Sequence, residues 1–197
     1  MTATPLDLLR KYSVPGPRYT SYPTAPYFHT DFDAADWIEA LAAPAAGRGL
    51  SLYAHIPFCD SLCYYCGCNM VATRDYAKTV PYLAAIEREM AVTAARVDPS
   101  RIAHQLHWGG GTPTYLHPDD IRKLMAIMRQ HFRIAPDAEI SCEVDPRELT
   151  RAHLEALRES GFNRVSFGVQ DMDPAVQQAV NRIQSAELIR QVMDWSR

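Results

Sequence analysis

The chain has 197 residues, of which 47% are hydrophobic, and a formal net charge of −3. This length supports one core of ordinary size, and the weak net charge gives no electrostatic reason to expect nucleic acid or an anionic membrane as a partner. The sequence has neither an apolar run of membrane-spanning length nor a signal-peptide core, so we expect a cytoplasmic protein.

Residues 1–49 are predicted to form an N-terminal arm. Proline is frequent from Val14 to Ala25. Because proline fixes φ and lacks a backbone donor, this segment is predicted to be a loop or an extended strap. A short helix is predicted near Ala34–Ala42.

Strand and helix patterns alternate over residues 50–197. The predicted strands are 50–56, 103–108, 138–144 and 164–169, and the predicted helices are 78–96, 118–132, 149–160, 174–182 and 185–196. Gly161 stands where a C-cap would end the third helix. Strands separated by helices are typical of βαβ units, so we predict an α/β core with a parallel sheet.

The predicted strands alternate apolar and polar residues, although buried parallel strands usually read as continuous apolar runs. Leu106 and Trp108 oppose Gln105 and His107, for example, and the other three strands follow the same period of two. One face of the sheet should therefore be covered by helices, while the other lines a polar lumen. Four βα units rarely close a barrel, and the sequence stops inside a helical pattern. We therefore expect a partial barrel in a truncated chain.

Four cysteines lie within ten residues, at Cys59, Cys63, Cys66 and Cys68. Thiolates are soft ligands suited to iron–sulfur clusters, zinc or cuprous copper. Incidental thiols are improbable at this density, and zinc sites usually pair two separated C-x2-C knuckles, of which no second one follows here. Cys142 falls on the apolar side of its strand and is predicted to belong to the core.

The spacing of Cys59, Cys63 and Cys66, C-x3-C-x2-C, resembles that of radical S-adenosylmethionine (SAM) enzymes, in which three thiolates hold a [4Fe–4S] cluster. Within that superfamily the chain resembles the oxygen-independent coproporphyrinogen III oxidases. The resemblance covers nearly all of residues 12–182. It is carried by the segments Pro15–Ala25, His55–Asn69, His107–Thr114, Glu143–Arg147 and Gly161–Asp171.

The resemblance implies cofactor ligands residue by residue. One iron of the cluster would be open to SAM. A first SAM would be bound by Tyr53, Gly110 and Glu143, and a second by Tyr65, Gly111, Thr112, Gln170 and Arg182. Tyr65 departs from the family, which commonly has Phe there. Read without the family, the glycines would mark a turn or a phosphate loop, although their pattern is neither G-x-G-x-x-G nor a Walker P-loop. Glu143 would then pair with a neighbouring base. Cys68 belongs to this family without ligating iron, and we treat it as a catalytic candidate of unknown role.

The activity implied is the oxidative decarboxylation of two propionates of coproporphyrinogen III, which gives protoporphyrinogen IX for haem biosynthesis. Arg18, Tyr19 and Tyr22 in the N-terminal arm would face the anionic substrate, since Arg pairs with carboxylates. An electron donor such as flavodoxin or ferredoxin would be needed, and the full-length form would be monomeric. The alternatives are a haem-binding chaperone of the same superfamily and a zinc-binding module.

Overall fold

The computed structural model describes residues 6–13, 24–43 and 47–197. The chain divides into two compact units, Met1–Ala40 and Leu41–Arg197. The sequence-based boundary between residues 49 and 50 stays a prediction.

The N-terminal unit contains helix α1 (Leu6–Tyr12), a 3₁₀ turn (Ala25–Tyr27) and most of helix α2 (Ala34–Ala42). Helix α2 has the predicted bounds. It begins after Asp33, whose carboxylate accepts from the backbone N–H of Ala35 at 2.7 Å and of Asp36 at 3.1 Å. These bonds satisfy donors that a helix start leaves unpaired, which explains why the helix begins there.

The second unit is an α/β structure that confirms the predicted alternation. Its strands are β1 (Leu50–Ile56), β2 (Phe58–Cys59), β3 (Val71–Ala72), β4 (Ala103–Gly110), β5 (Ile134–Val144) and β6 (Arg164–Phe167). Its helices are α3 (Thr79–Ala94), α4 (Pro118–His131), α5 (Arg151–Glu159), α6 (Pro174–Ala179) and α7 (Ala186–Trp195), with 3₁₀ turns at Tyr76–Lys78 and Pro113–Tyr115. Among the described residues, no helix is long and apolar enough to cross a membrane.

The main sheet is parallel and has the strand order β1-β4-β5-β6, while β2 and β3 form a separate parallel pair. It is the open, partial barrel that the sequence predicted. Strand β6 ends at Phe167 instead of residue 169, and α6 ends at Ala179 instead of residue 182. The predicted extension of α6 contains Asn181, whose φ of 53° a regular helix does not adopt. Gln170, the residue after the predicted end of β6, has a φ of 64°.

The two faces of the sheet differ as the alternation predicted. Leu106 and Trp108 are fully buried against the helices, while His107 between them is half-buried on the other face. The indole N–H of Trp108 donates to the Met128 sulfur at 3.3 Å, and the indole meets Phe162 edge to face at 4.9 Å. The helix-covered face is therefore the core, and the opposite face is free to carry polar side chains.

The strands all end at the same edge of the sheet, because they are parallel. Backbone hydrogen bonds continue past this edge and order the loops. The N–H of Gly111 donates to the Ile56 carbonyl and that of Thr112 to the Phe58 carbonyl, both at 2.8 Å. The loop after β4 is thereby fixed against the start of the cysteine-bearing loop after β1.

Candidate functional site

The cysteine loop, residues 59–68, lies at the carboxyl edge of the sheet. Its four cysteines are free thiols and all border one cavity of about 350 Å³. Cys63 is buried, Cys59 and Cys66 are half-buried, and Cys68 is exposed. The sequence therefore brings its predicted cluster ligands to a shared cavity, and Cys68 lies beside them.

Bonds to distant parts of the chain hold the cysteine loop in place. The Cys59 carbonyl accepts from the N–H of Thr73 at 2.8 Å. Further along the loop, the Leu62 carbonyl accepts from the Asn181 side-chain amide at 2.8 Å, and the Tyr64 N–H donates to the Val180 carbonyl at 3.0 Å. The loop is thus anchored by β3 at its start and by the α6–α7 connection in its middle.

Burial raises the pKa of the Cys59 thiol, although its hydrogen bond with the Thr112 hydroxyl, at 3.3 Å, acts in the opposite direction. Burial also raises the pKa of Cys68. The protein alone therefore favours the protonated thiol at both positions. A metal must replace the proton when it binds, which makes binding at such thiols dependent on pH.

The donor set fits an iron–sulfur cluster. Among the described residues, no three His, Cys, Asp or Glu side chains are placed to share one metal ion. A single zinc ion needs ligands that converge on one point, whereas each thiolate of a cluster binds a different iron. Three free thiols spread around one cavity are therefore a set that suits a cluster, with Cys59, Cys63 and Cys66 as the residues that would hold it.

The glycine-rich segment Gly109–Thr112 passes close to the cysteine loop. A Cβ at Gly111 would lie 2.6 Å from the Pro57 carbonyl oxygen, and one at Gly110 would lie 2.8 Å from the His55 ring. Gly110 also has a φ of 117°. Side chains are excluded here, so backbone polar groups border the cavity directly, which is the use expected for glycines near a ligand.

Tyr53 and Glu143 meet on the lumen face of the sheet. A Cβ built on Gly109 would lie 3.0 Å from a Glu143 carboxylate oxygen and 3.1 Å from the Tyr53 hydroxyl, so Gly109 leaves the space between them. Burial, followed by the negative charge of Glu143, raises the pKa of Tyr53. His107 Nε2 lies 3.5 Å from Glu143, and the Tyr53 and His107 rings stack at 5.9 Å. Glu143 borders the cavity, whereas Tyr53 is not among its lining residues and is linked to it through its neighbour Glu143.

A second group of predicted site residues borders the same cavity. The Arg182 guanidinium donates to the Gly168 carbonyl at 2.6 Å. A Cβ on Gly168 would lie 2.9 Å from the Gln170 amide nitrogen. Burial raises the pKa of Tyr65 to about 12, an effect that Arg182 opposes through its positive charge. Tyr65, Gln170 and Arg182 all border the cavity, as do Gly111 and Thr112.

Sequence reasoning assigned no role to Asp145 and Arg147, which follow β5. Asp145 pairs with Arg147 at 2.6 Å and with Arg182 at 2.8 Å. Burial, the largest single influence, lowers the pKa of Arg147, but Asp145 and Cys63 act against it and the pKa is raised overall. The sequence did carry one signal for them, because Asp145 and Arg147 are opposite charges two residues apart directly after a strand. His55 was also missed, and its Nε2 lies 2.7 Å from the Asn69 carbonyl oxygen.

Two further sequence predictions have different outcomes. Cys142 is completely buried, and burial raises its pKa, so its assignment to the core is confirmed. The substrate residues Arg18, Tyr19 and Tyr22 lie outside the described residues, and their role stays a prediction.

The site defines a class of protein, and comparison with known sequences agrees with it. The profile of the radical SAM superfamily matches residues 53–197, so the chain belongs to this superfamily. The cofactors of that superfamily are a [4Fe–4S] cluster and SAM, which the three thiols and the glycine-lined cavity fit.

Individual relatives match nearly the whole chain and share one name. The chain is 47% identical over 194 residues to the oxygen-independent coproporphyrinogen III oxidase of Pseudomonas aeruginosa, covering 97% of this chain and 42% of the relative. It is 50% identical over 192 residues to the enzyme of that name from Escherichia coli K12, covering 98% and 42%. A solved structure, coproporphyrinogen III oxidase (HemN) from Escherichia coli, matches with a TM-score of 0.86 and 48% identity over 96% of this chain and 42% of that one. The chain thus spans about two-fifths of the length of these relatives.

Proposed function

We propose that the protein takes part in haem biosynthesis as a radical SAM oxidoreductase that converts coproporphyrinogen III to protoporphyrinogen IX without oxygen. The observation that carries the proposal is the shared cavity. It joins three free thiols of the cysteine loop to the glycine-rich segment and to charged side chains from β5 and the α6–α7 connection. The similarity to oxygen-independent coproporphyrinogen III oxidases along nearly the whole chain supports the choice of substrate.

Cys59, Cys63 and Cys66 would hold the cluster, with SAM bound beside it. When bound, these two cofactors supply one-electron radical chemistry. Each of two propionates would lose one hydrogen atom, carbon dioxide and one electron, which leaves a vinyl group. An acceptor would take up the electron, and a donor such as flavodoxin or ferredoxin would supply the electrons that SAM chemistry consumes.

The arrangement of polar groups favours two SAM molecules. Tyr53 and Glu143 stand together on the lumen face, where the Glu143 carboxylate suits the ammonium group of a first SAM. Gln170 and Arg182 stand together near Tyr65, where the guanidinium suits the carboxylate of a second. The glycine-rich segment runs between the groups, with Gly110 assigned to the first SAM and Gly111 and Thr112 to the second.

An anaerobic turnover assay tests the proposal. The natural protein, with its cluster reconstituted, is incubated with SAM, a reductant and coproporphyrinogen III, and the porphyrin products are separated by chromatography. We expect vinyl-containing product that depends on SAM. A protein that holds the cluster and binds haem but forms no product would contradict this function and favour a haem-binding role. A protein that retains zinc and no iron would contradict it as well.

The number of SAM molecules is tested by equilibrium dialysis with the cluster-loaded protein. Two molecules are expected per chain. Glu143→Gln and Gln170→Ala should each lower the number or the affinity of one molecule while leaving iron content unchanged. A ratio of one in the wild type would contradict the second site.

A further inference from the structure

Two guanidinium groups, those of Arg147 and Arg182, lie within hydrogen-bond distance of the Cys63 sulfur, and both pair with the Asp145 carboxylate. The Asp145 carboxylate lies between two guanidinium groups, and its side chain is only 7% exposed. Arg147 donates to this carboxylate from Nε, which lies 3.1 Å from each carboxylate oxygen, and from Nη2, which lies 2.6 Å from Oδ2. Arg182 approaches the same oxygen at 2.8 Å. The fork of Arg147 is the bidentate geometry that fixes a guanidinium in one orientation.

That orientation aims Arg147 at the cysteine loop. Its Nη2 donates to the Cys63 sulfur at 3.4 Å, and its Nη1 donates to the Ser61 hydroxyl and to the Asn181 carbonyl, each at 3.3 Å. One side chain therefore joins the end of β5, the cysteine loop and the α6–α7 connection. With a side chain only 17% exposed, Arg147 makes these contacts mostly out of solvent.

The charges of the network are unequal without a ligand thiolate. Arg147 and Arg182 carry two positive charges and Asp145 one negative charge, and an unmatched charge is costly to bury. A thiolate at Cys63 supplies the second negative charge at the place where both guanidiniums point, with Arg182 Nη1 3.6 Å from the sulfur. The network is therefore matched to Cys63 as a metal-bound thiolate.

We propose that Arg147 is a positioning residue for the cluster: by donating to the Cys63 sulfur, it orients this ligand and raises the reduction potential of the cluster. The proposal rests on the cluster of the proposed function. Reduction adds negative charge to a cluster, so hydrogen bonds to its sulfurs and nearby positive charge stabilise the reduced state. Arg182 shares this contact, but it also donates to Gly168 and is assigned to SAM. Arg147 is therefore the better residue to substitute, because it has no assigned contact with SAM.

The test compares midpoint potentials of the cluster in the natural protein, without SAM, by a redox titration followed by electron paramagnetic resonance. Arg147→Gln removes the charge and the fork, and Arg147→Lys keeps the charge but loses the fork. Arg122→Gln is the matched control, because Arg122 pairs with Asp119 and Glu159 away from the cysteine loop. We expect the lowest potential in Arg147→Gln, an intermediate one in Arg147→Lys and the wild-type value in Arg122→Gln.

Iron and sulfide content and the circular dichroism spectrum are measured on every variant. A wild-type potential in Arg147→Gln would overturn the proposal. If Arg147→Gln forms no cluster, the comparison rests on Arg147→Lys, where a wild-type potential overturns it. Absence of the cluster from both variants would also overturn it, since Arg147 would then be required for assembly. A wild-type protein that holds the cluster but makes no vinyl product counts against the proposed decarboxylation and leaves this comparison valid.

Discussion

Replacing Gly111 by Ala tests the contact between the glycine-rich segment and the cysteine loop. The new Cβ would lie 2.6 Å from the Pro57 carbonyl oxygen and 2.7 Å from that of Phe58. Both neighbours are backbone atoms and cannot rotate away. Pro57 is also tied to β3, since its carbonyl accepts from the Val71 N–H at 2.7 Å. The overlap can be relieved only if one backbone segment moves relative to the other.

The cost follows from that movement. Overpacking of a tight site costs about 1–3 kcal/mol. A shift large enough to clear the Cβ weakens the Gly111–Ile56 or Thr112–Phe58 backbone hydrogen bond, each 2.8 Å long, at about 1 kcal/mol net. Alanine also restricts the unfolded chain, which stabilises the folded state by about 0.4–1 kcal/mol relative to glycine. The sum is a loss of about 1–3.5 kcal/mol in the free energy of unfolding.

Urea denaturation of the metal-free protein measures this loss. With an m value of about 2 kcal/mol per molar urea, the midpoint should fall by about 0.5–1.8 M. Gly67→Ala is the control, because a Cβ there meets no atom within 4 Å. Its midpoint should equal that of the wild type or exceed it by up to about 0.5 M, because alanine restricts the unfolded chain here too. Equal midpoints for the two variants would refute the argument that the Pro57–Phe58 backbone confines Gly111.

Cys63→Ala should lose the cluster and Cys68→Ala should keep it, as measured by iron and sulfide content after anaerobic reconstitution. Full cluster content in Cys63→Ala, or loss of the cluster in Cys68→Ala, would overturn the ligand assignment. Thr150→Ala should cost about 1 kcal/mol in urea, because Thr150 and His153 form the capping box of α5. Burial, followed by the charge of His117, lowers the pKa of His153, so the folded state favours the neutral ring. The stability from His153 should be full above about pH 6.5 and be lost as pH falls through the lower folded-state pKa. Urea midpoints from pH 5 to 7.5 should show this loss in the wild type and less of it in His153→Gln.

Much of the sheet could be predicted because its signal is local. The period of two along 50–56 and 138–144 identifies both the strands and the faces they present, and residues 50–56 form β1 with the predicted bounds. The two-residue strands β2 and β3 were not predicted, since two residues carry no period. They form because Val71 and Thr73 donate to the Pro57 and Cys59 carbonyls, which depends on where the cysteine loop returns.

The candidate site could likewise be predicted only where its signal is local in sequence or carried by a family resemblance. The cysteine spacing is visible in the sequence, and the resemblance to a family supplied residues such as Gln170 and Arg182 whose surroundings carry no signal of their own. The contact of Arg147 with Cys63 joins positions 84 residues apart. No local pattern reports such a contact, because it depends on how the end of β5 and the cysteine loop meet at the sheet edge.

The cysteine loop is local in sequence, but its order is not. At the start of the loop, the Cys59 carbonyl accepts from the Thr73 N–H. In its middle, Leu62 and Tyr64 bond to Asn181 and Val180, and Arg147 donates to the Cys63 sulfur. A zinc knuckle orders its own short loop around the metal. This loop is in addition bonded to other parts of the folded sheet edge. The fold of the α/β unit therefore contributes to the ordering of these ligands. Cluster retention and sheet stability are coupled in consequence, so a substitution such as Gly111→Ala that separates the loops weakens both.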